Sequence, residues 1–467
     1  MAHCALSAFS IMVVLAARTD NAAASGFALI PQSGSGLGNA YAGVAASAED
    51  ASTIFYNPAG MANLHGKQLV LATSLLGVKS QFSNSGSLAA TGQPLGTVPD
   101  NGRKLIFIPN GYFVAEINPK LHIGTGINTP FGSTTEYQSG WIGRYQALTS
   151  KLETLNVNPS FSYQMNDALS LGAGMNYQRI NGNLSSAVNY AAGVAGAVPS
   201  AVAAAAMNAV TNAGQAEGTT TISGTDAAWG YDLGLLLKLS PQTRAGLAYR
   251  STIKYNLSGS VNFSANRPTA ATLTPVVGAG AAALVANGVA ASSADGAVNF
   301  AITMPDNLSA SVFHQLTDKW DIMADATWTG WSVFDQLKVV RASGATLSLT
   351  QENWKNTWRV AVGANHHYNE QWTARVGLAH DQSPVPDAFR TARIPDSDRT
   401  WLSLGGQYKA GKGGVLDFGY AHLFISNSTI NRNKGGVDAA STALYAQLAG
   451  SYNSAADILS VQYSYGF

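Results

Sequence analysis

The residues from Leu459 to Phe467 alternate with a period of two: Leu459, Val461, Tyr463, Tyr465 and Phe467 fall on one face, and Ser460, Gln462, Ser464 and Gly466 on the other. A strand that is apolar and aromatic on one side and small or polar on the other suits a wall between lipid and a wet interior. Over so short a stretch an ordinary half-buried strand has the same pattern. Repetition decides between them. Leu155, Val157, Phe161, Tyr163 and Met165 alternate with Asn156, Asn158, Ser160, Ser162 and Gln164, and after a turn near Asn166-Asp167 the scheme resumes through Leu169, Leu171, Ala173, Met175 and Tyr177. It returns at Trp229 to Leu239, at Trp358 to Ala364 and at Trp372 to Leu378.

Short turns such as Thr317-Asp318-Lys319, Tyr368-Asn369-Glu370 and Ala410-Gly411-Lys412 alternate with long insertions, Ser185 to Ala227 and Ala265 to Val298. Short periplasmic turns opposite long outer loops are the arrangement of an outer-membrane barrel. The pattern yields 13 to 15 strand candidates, and antiparallel closure asks for an even number, so the expected fold is an all-β, 14-stranded antiparallel transmembrane β-barrel. Ala191 to Asn212 and Pro275 to Ser293 are rich in Ala, Gly and Val, but Pro199, Asn208, Asn212 and Asn287 interrupt them, so they read as extracellular loops with some helix rather than spans.

Composition agrees. Charged residues are 11% of the chain, against about 25% in soluble proteins, so a charged surface is not what keeps this protein dispersed. The net charge of +1 supplies no basic field for nucleic acid. Ala5 to Ala17 is an apolar run followed by Ala22-Ala23-Ala24, which predicts a signal peptide over 1–24 and Ser25 as the first mature residue. The single cysteine, Cys4, would leave with it, removing disulfides, zinc thiolates and thiol nucleophiles from the mature chain.

Residues 25–65 break the alternation that fills 66–467. Gly34, Gly36 and Gly38 precede a helix-capable stretch, Ala40 to Ser52, and then Asn57-Pro58-Ala59-Gly60. A wide barrel leaves a lumen, and this segment, with Phe27, Leu29, Ile30, Tyr41, Val44, Ile54, Phe55 and Met61, carries too much apolar surface for a disordered arm; it reads as an N-terminal hatch in that lumen. Asn57 can cap while Pro58 starts the next turn. Arg250, Asp325, Arg359, Arg375, Asp381 and Asp417 lie on the small or polar face of their strands, where they can pair with one another and with Glu49 and Asp50. At Thr129-Pro130-Phe131-Gly132 the proline removes a ladder donor and the glycine permits a bulge, which suggests a locally unpaired strand; Pro130 equally fits a strand end in an extracellular loop.

Catalytic signals are weak. His366-His367 point to opposite faces of a strand, as do His380-Asp381, and no carboxylate sits at metal-ligand spacing, so no metal, cofactor or catalytic residue is expected. An outer-membrane lipid hydrolase pairing Ser403 or Ser383 with His380 or His422 is the enzymatic rival, and a general porin the other.

Ser25-Gly26-Phe27, Gly36 to Gly43, Asn57-Pro58-Ala59, Tyr249-Arg250-Ser251, Trp328 to Leu337, Asp381 to Pro386, Ile394 to Arg399 and Tyr465-Gly466-Phe467 resemble, in order, motifs of the FadL family of outer-membrane long-chain fatty acid and hydrocarbon transporters. The resemblance covers essentially the whole mature chain. It implies passive uptake of an apolar molecule, held by a pocket above the hatch and released sideways through a kinked third strand at Gly132, with Phe27 contacting substrate. The basic residues that fatty acid carriers offer to a carboxylate fall at Ser186 and Thr350, neither cationic, which favours a neutral hydrocarbon unless Arg179, Lys338 or Arg341 substitutes. The partners it implies are a fatty acid or hydrocarbon, outer-membrane lipid of a Gram-negative cell, and the barrel-assembly machinery through the C-terminal strand.

Overall fold

In a computed structural model, residues 26–98, 104–411, 413–432 and 439–467 are described. The signal segment, Cys4 and Ser25 lie outside them.

Fourteen antiparallel strands form the wall. The first is β1 (Lys67–Asn84), followed by β2 (Lys104–Asn118) and β3, which is broken into Leu121–Asn128 and Gly132–Glu136. Next come β4 (Thr149–Gln164), β5 (Leu169–Asn189) and β6 (Glu217–Lys238). Four strands each have two parts: β7 (Thr243–Arg250, Ile253–Phe263), β8 (Gly296–Met304, Asn307–Thr317), β9 (Trp320–Thr329, Gln336–Arg341) and β10 (Thr346–Gln351, Thr357–His367). The wall ends with β11 (Trp372–Asp381), β12 (Arg399–Lys409), β13 (Gly414–Ile425, Ser428–Arg432) and β14 (Leu448–Gly466). β14 pairs with β13 on one edge and with β1 on the other, from Gln68↔Gly466 to Asn84↔Gly450, so the sheet closes. Lipid offers backbone groups no water, and closure is how a sheet satisfies them without an edge.

The alternation sorts side chains as the sequence pattern requires. Phe161 is 50% exposed while Ser162 beside it is fully buried, and the same contrast runs through Met175, Leu378 and Val461. The insertions are shorter than expected, because β5 continues to Asn189 and β6 starts at Glu217. Those extensions are rich in Ser, Thr and Gly and carry no continuous apolar face; above the membrane none is needed, so the signal fades while the ladder persists. Between and beyond them lie helices Tyr190–Ala197, Ser200–Asn212, Ala270–Val277 and Ala279–Ser292, which bury Val194, Val210, Leu273 and Val285 against one another. No described helix is long and apolar enough to cross a membrane.

The segment from Gly26 to Leu64 touches the inner face of strands all round the wall. Tyr112 of β2 donates to the Gln32 carbonyl at 2.9 Å, and Asn57 donates to the Leu235 carbonyl of β6 at 3.0 Å. Arg244 of β7 reaches the Ala46 and Ser47 carbonyls, Arg359 of β10 the Ala40 carbonyl and Arg375 of β11 the Ser35 carbonyl. Gln462 of β14 accepts from Gly34 N at 2.9 Å and donates to Asp50 at 2.8 Å. Arg375 also bridges Glu49 and Asp417 at 2.9 and 3.1 Å.

The helix expected over Ala40 to Ser52 shrinks to Val44–Ser47, with Thr53–Tyr56 beyond it. Ala40, Tyr41 and Ala48 adopt left-handed backbone (φ 53°, 57° and 47°), a conformation costing roughly 1–2 kcal/mol each for residues with a Cβ. Contacts to the wall outweigh local helix propensity here: Arg359 holds the carbonyl of the first of these residues. Asn57 is fully buried, and its side-chain oxygen accepts from Ala59 N at 3.0 Å to cap the turn that Pro58 begins.

A Cβ at Gly377 would overlap the backbone of Asn39. Gly377→Val therefore costs about 1–3 kcal/mol of packing energy and forces the segment off the wall; the expected readout is raised ion conductance in planar bilayers from a barrel that still shows its heat-modifiable folded form.

Candidate functional site

The wall has a break where proline interrupts β3. The β2–β3 ladder runs from Asn118↔Leu121 only to Gly111↔Ile127. Past Pro130 the second half of β3 pairs with β4, from Gly132↔Glu153 to Glu136↔Thr149, and not with β2. The N-terminal segment takes the vacated role: Ala28 forms a bridge with Phe131, Leu29 N donates to the Pro130 carbonyl and Gly132 N to the Phe27 carbonyl, both at 2.8 Å. An opening of about 270 Å³ lies between Ile106, Phe107 and Ile108 of β2 and Thr129, Gly132, Ser133 and Thr134 on the other rim, with Leu29 behind it. A Cβ on Gly132 would press on the Leu29 side chain.

Inside the opening is a cavity of about 930 Å³. One side is apolar, with Leu29, Ile30, Phe55, Pro130, Phe131 and Trp331; the other carries Arg250, Asp325, Arg359 and Asp381. Those charges are tied down. Arg250 donates to Asn176 and to the Phe55 carbonyl, and Asp325 accepts from Ser311 and Thr327. Above it Phe27 is fully buried in a box of rings, with centroids 4.7 Å from Trp331, 5.3 Å from Trp354, 5.4 Å from Phe334 and 6.2 Å from Phe131. Asp396 accepts from Gly26 N at 3.0 Å and anchors this end of the segment.

A third cavity, about 610 Å³, lies toward the extracellular loops. Ser186 and Thr350 both line it, with Leu184, Ile222, Leu337 and Val339. Arg179, Lys338 and Arg341 do not. Arg179 is exposed on the outward register of β5, Lys338 points to the opposite face from its pocket-lining neighbours, and Arg341 donates to the Ser292 and Ala294 carbonyls at a helix end. The cations that do line the cavity are Arg393 and Arg432, which sequence reasoning missed. Arg393 donates to the Thr149 carbonyl and Ser150 Oγ at 2.9 and 2.8 Å, and Arg432 to the Gln351 carbonyl at 2.8 Å. The one available signal was that Arg393 immediately precedes the Ile394–Arg399 motif. Burial pulls Arg393 down to about 10, with Glu352 and Tyr137 opposing, so it stays cationic at neutral pH. Burial pushes Glu352 up to about 7 against Arg432, the Trp354 indole and Arg393.

The nominated hydrolase pairs do not form. Ser403 is buried on the inner face, whereas His380 and His422 are on the outer one; His422 meets Asp457 at 2.8 Å, and Ser383 bonds Asp396 at 2.8 Å. His367 reaches Asp321 at 2.7 Å while His366 stacks on Trp320 on the other face.

A closed, lipid-facing β-barrel with an interior chain of cavities and a side opening defines an outer-membrane transport protein. A family model described as Outer membrane protein transport protein (OMPP1/FadL/TodX) matches residues 15–467, and the chain belongs to that family, whose members are transporters and channels of the Gram-negative outer membrane. It is 31% identical to the long-chain fatty acid transport protein of Shigella flexneri, over 90% of this chain and 93% of that one. It is also 31% identical to outer membrane protein P1 of Haemophilus influenzae, over 89% of each. The crystal structure of a Pseudomonas aeruginosa FadL homologue superposes with a TM-score of 0.81 at 25% identity, covering 95% of this chain and all of that one. The toluene transporter TodX of Pseudomonas putida shares the fold, with a TM-score of 0.63 at 17% identity over 93% and 98%.

Protonation of Glu352 as pH falls through about 7 removes the negative charge between Arg432 and Arg393. An alkyl sulfonate, whose own charge is constant, should then bind about tenfold more tightly at pH 6 than at pH 8, and Glu352→Gln should flatten that dependence in equilibrium binding.

Proposed function

We propose that this outer-membrane transporter takes up long-chain fatty acids, with the carboxylate held by Arg393 and Arg432 in the outer cavity and the chain lying along Leu184, Ile222, Leu337 and Val339. The observation that carries this reading is the pair of arginines beside Ser186 and Thr350. A carboxylate buried without a cation costs several kcal/mol; here one guanidinium from a loop and one from the end of β13 line the same cavity. The relatives at about 30% identity that are named for fatty acid transport support it.

From that cavity the substrate passes Phe27 to the larger cavity below and leaves through the opening at Thr129 to Gly132, moving down its own gradient into the membrane. Residues 25–65 act as the hatch, with Asn57-Pro58-Ala59 fixing its turn, and the terminal aromatic strand is the part offered to the assembly machinery. The second reading, uptake of neutral hydrocarbons, is favoured by the neutrality of Ser186 and Thr350 and by the backbone carbonyls that already occupy both arginines.

Binding to purified protein separates the two. A charge-assisted hydrogen bond contributes about 1.5–3 kcal/mol, so Arg393→Ala with Arg432→Ala should weaken oleate binding roughly 10- to 100-fold and leave toluene or an alkane within about twofold. Oleate affinity unmoved by the double change favours the hydrocarbon reading. Gly132→Glu, which closes the opening, should cut uptake while binding persists; unchanged uptake removes the lateral route. Rapid swelling of sugar-loaded liposomes would point to a porin.

A further inference from the structure

The outward face carries a second feature that uptake does not use. Arg179 lies ten residues from the periplasmic end of β5 at Leu169, and Lys254 eleven from the start of β7 at Thr243. At about 3.3 Å per residue and a tilt near 40°, both stand roughly 25–28 Å above the periplasmic rim, at the outer edge of an apolar band about 25 Å tall. The outer aromatic belt is just below them: Tyr177 and Trp229 touch at 4.9 Å and Tyr231 and Tyr249 at 6.1 Å. Arg179 and Lys254 are both exposed, and among the described residues neither makes an ion pair.

The nearby acids are occupied. Glu153 bridges Lys151 at 2.9 Å, and the Asp226 carboxylate accepts from the backbone N–H of Asn256 and Ala227 at 2.7 and 2.8 Å. Only β6 separates the two cations, and the residue it sets beside Arg179 is the small Ala227. Across two strand spacings, about 10 Å, both long side chains can reach one phosphate group. The β6–β7 ladder also lapses at this height, between Asp232↔Arg250 and Thr225↔Ser258, so the wall is irregular under the same spot.

We propose that the outward face of β5 to β7 is a docking site for a phosphorylated glycolipid of the outer leaflet, its phosphate held by Arg179 and Lys254 and its acyl chains lying on Tyr177, Trp229 and Tyr231. The site is one strand from the opening, since Leu155 pairs with Arg179 while Leu152 and Glu153 form part of the opening's lining. A lipid fixed there occupies the membrane into which substrate emerges.

Native mass spectrometry of the full chain in detergent, titrated with bis-phosphorylated lipid A, tests this. The wild type should bind at least tenfold more tightly than Arg179→Ala/Lys254→Ala, and lipid A stripped of phosphate should bind the wild type as weakly as it binds the variant. Lys338→Ala, an exposed cation outside this patch, should match the wild type, and Arg179→Lys should restore part of the affinity, with heat-modifiable mobility confirming that each variant folds. Equal lipid A affinity for wild type and double variant overturns the proposal, and so does displacement of lipid A by an equal concentration of inorganic pyrophosphate, which would mark a site for free anions.

Discussion

In a bilayer a strand must find backbone partners on both edges, because the solvent supplies none. The wall meets that demand along its ladders, and in β3 it is met unusually. Proline at position 130 cannot continue the ladder to β2. The chain answers with an intramolecular substitute, the Ala28–Phe131 bridge and its two flanking hydrogen bonds. The β2–β3 ladder is therefore interrupted without leaving the broken strand wholly unpaired, and the N-terminal segment is tied to the geometry of the break.

The same segment, a short piece of irregular chain, is held to the inner face of the wall at many points. Its backbone carbonyls are claimed by arginines of β7, β10 and β11, and its glycine-lined approaches to the wall are closer than a Cβ allows at Gly377 and Gly405. Buried arginines with fixed partners are costly to strip singly, since each removal leaves carboxylates such as Asp325 or Asp417 uncompensated. Apolar surface on the segment meanwhile faces the cavity beside Phe131 and Trp331, so one element supplies polar anchorage to the wall and a hydrophobic surface along the proposed path.

Much of this was legible from residues. Alternation in Leu155 to Met165 and Leu459 to Phe467 located strands, and the requirement of even closure gave the strand number. Pro130 and Gly132 marked the break, although only the pairing of Gly132 to Glu136 with β4 alone distinguished it from a strand end. What stayed hidden depends on contacts distant in sequence. Ala40 to Ser52 has helix-forming composition, and its shortened helix becomes intelligible only with wall contacts such as Arg359 on the Ala40 carbonyl and Arg244 on those of Ala46 and Ser47. Ser186 and Thr350 line one cavity, but Arg393 approaches it from a loop with no periodicity and Arg432 from the end of the short second part of β13, where the alternation is too brief to read. Arg179 has the register of its strand to place it: it shares parity with Tyr177, which faces lipid, a point that alternation alone contained.

The account rests on an exit between β2 and the displaced half of β3. A cysteine pair replacing Phe107 and Thr134, which line opposite rims of the opening, can be joined by a short, reducible bis-thiol cross-linker formed under oxidation, without interference because the only natural cysteine is Cys4. Fatty acid uptake by cells carrying this variant should collapse on oxidation and return on reduction, with oleate binding to the purified protein intact throughout. Full uptake through the oxidised, cross-linked barrel would contradict the lateral route.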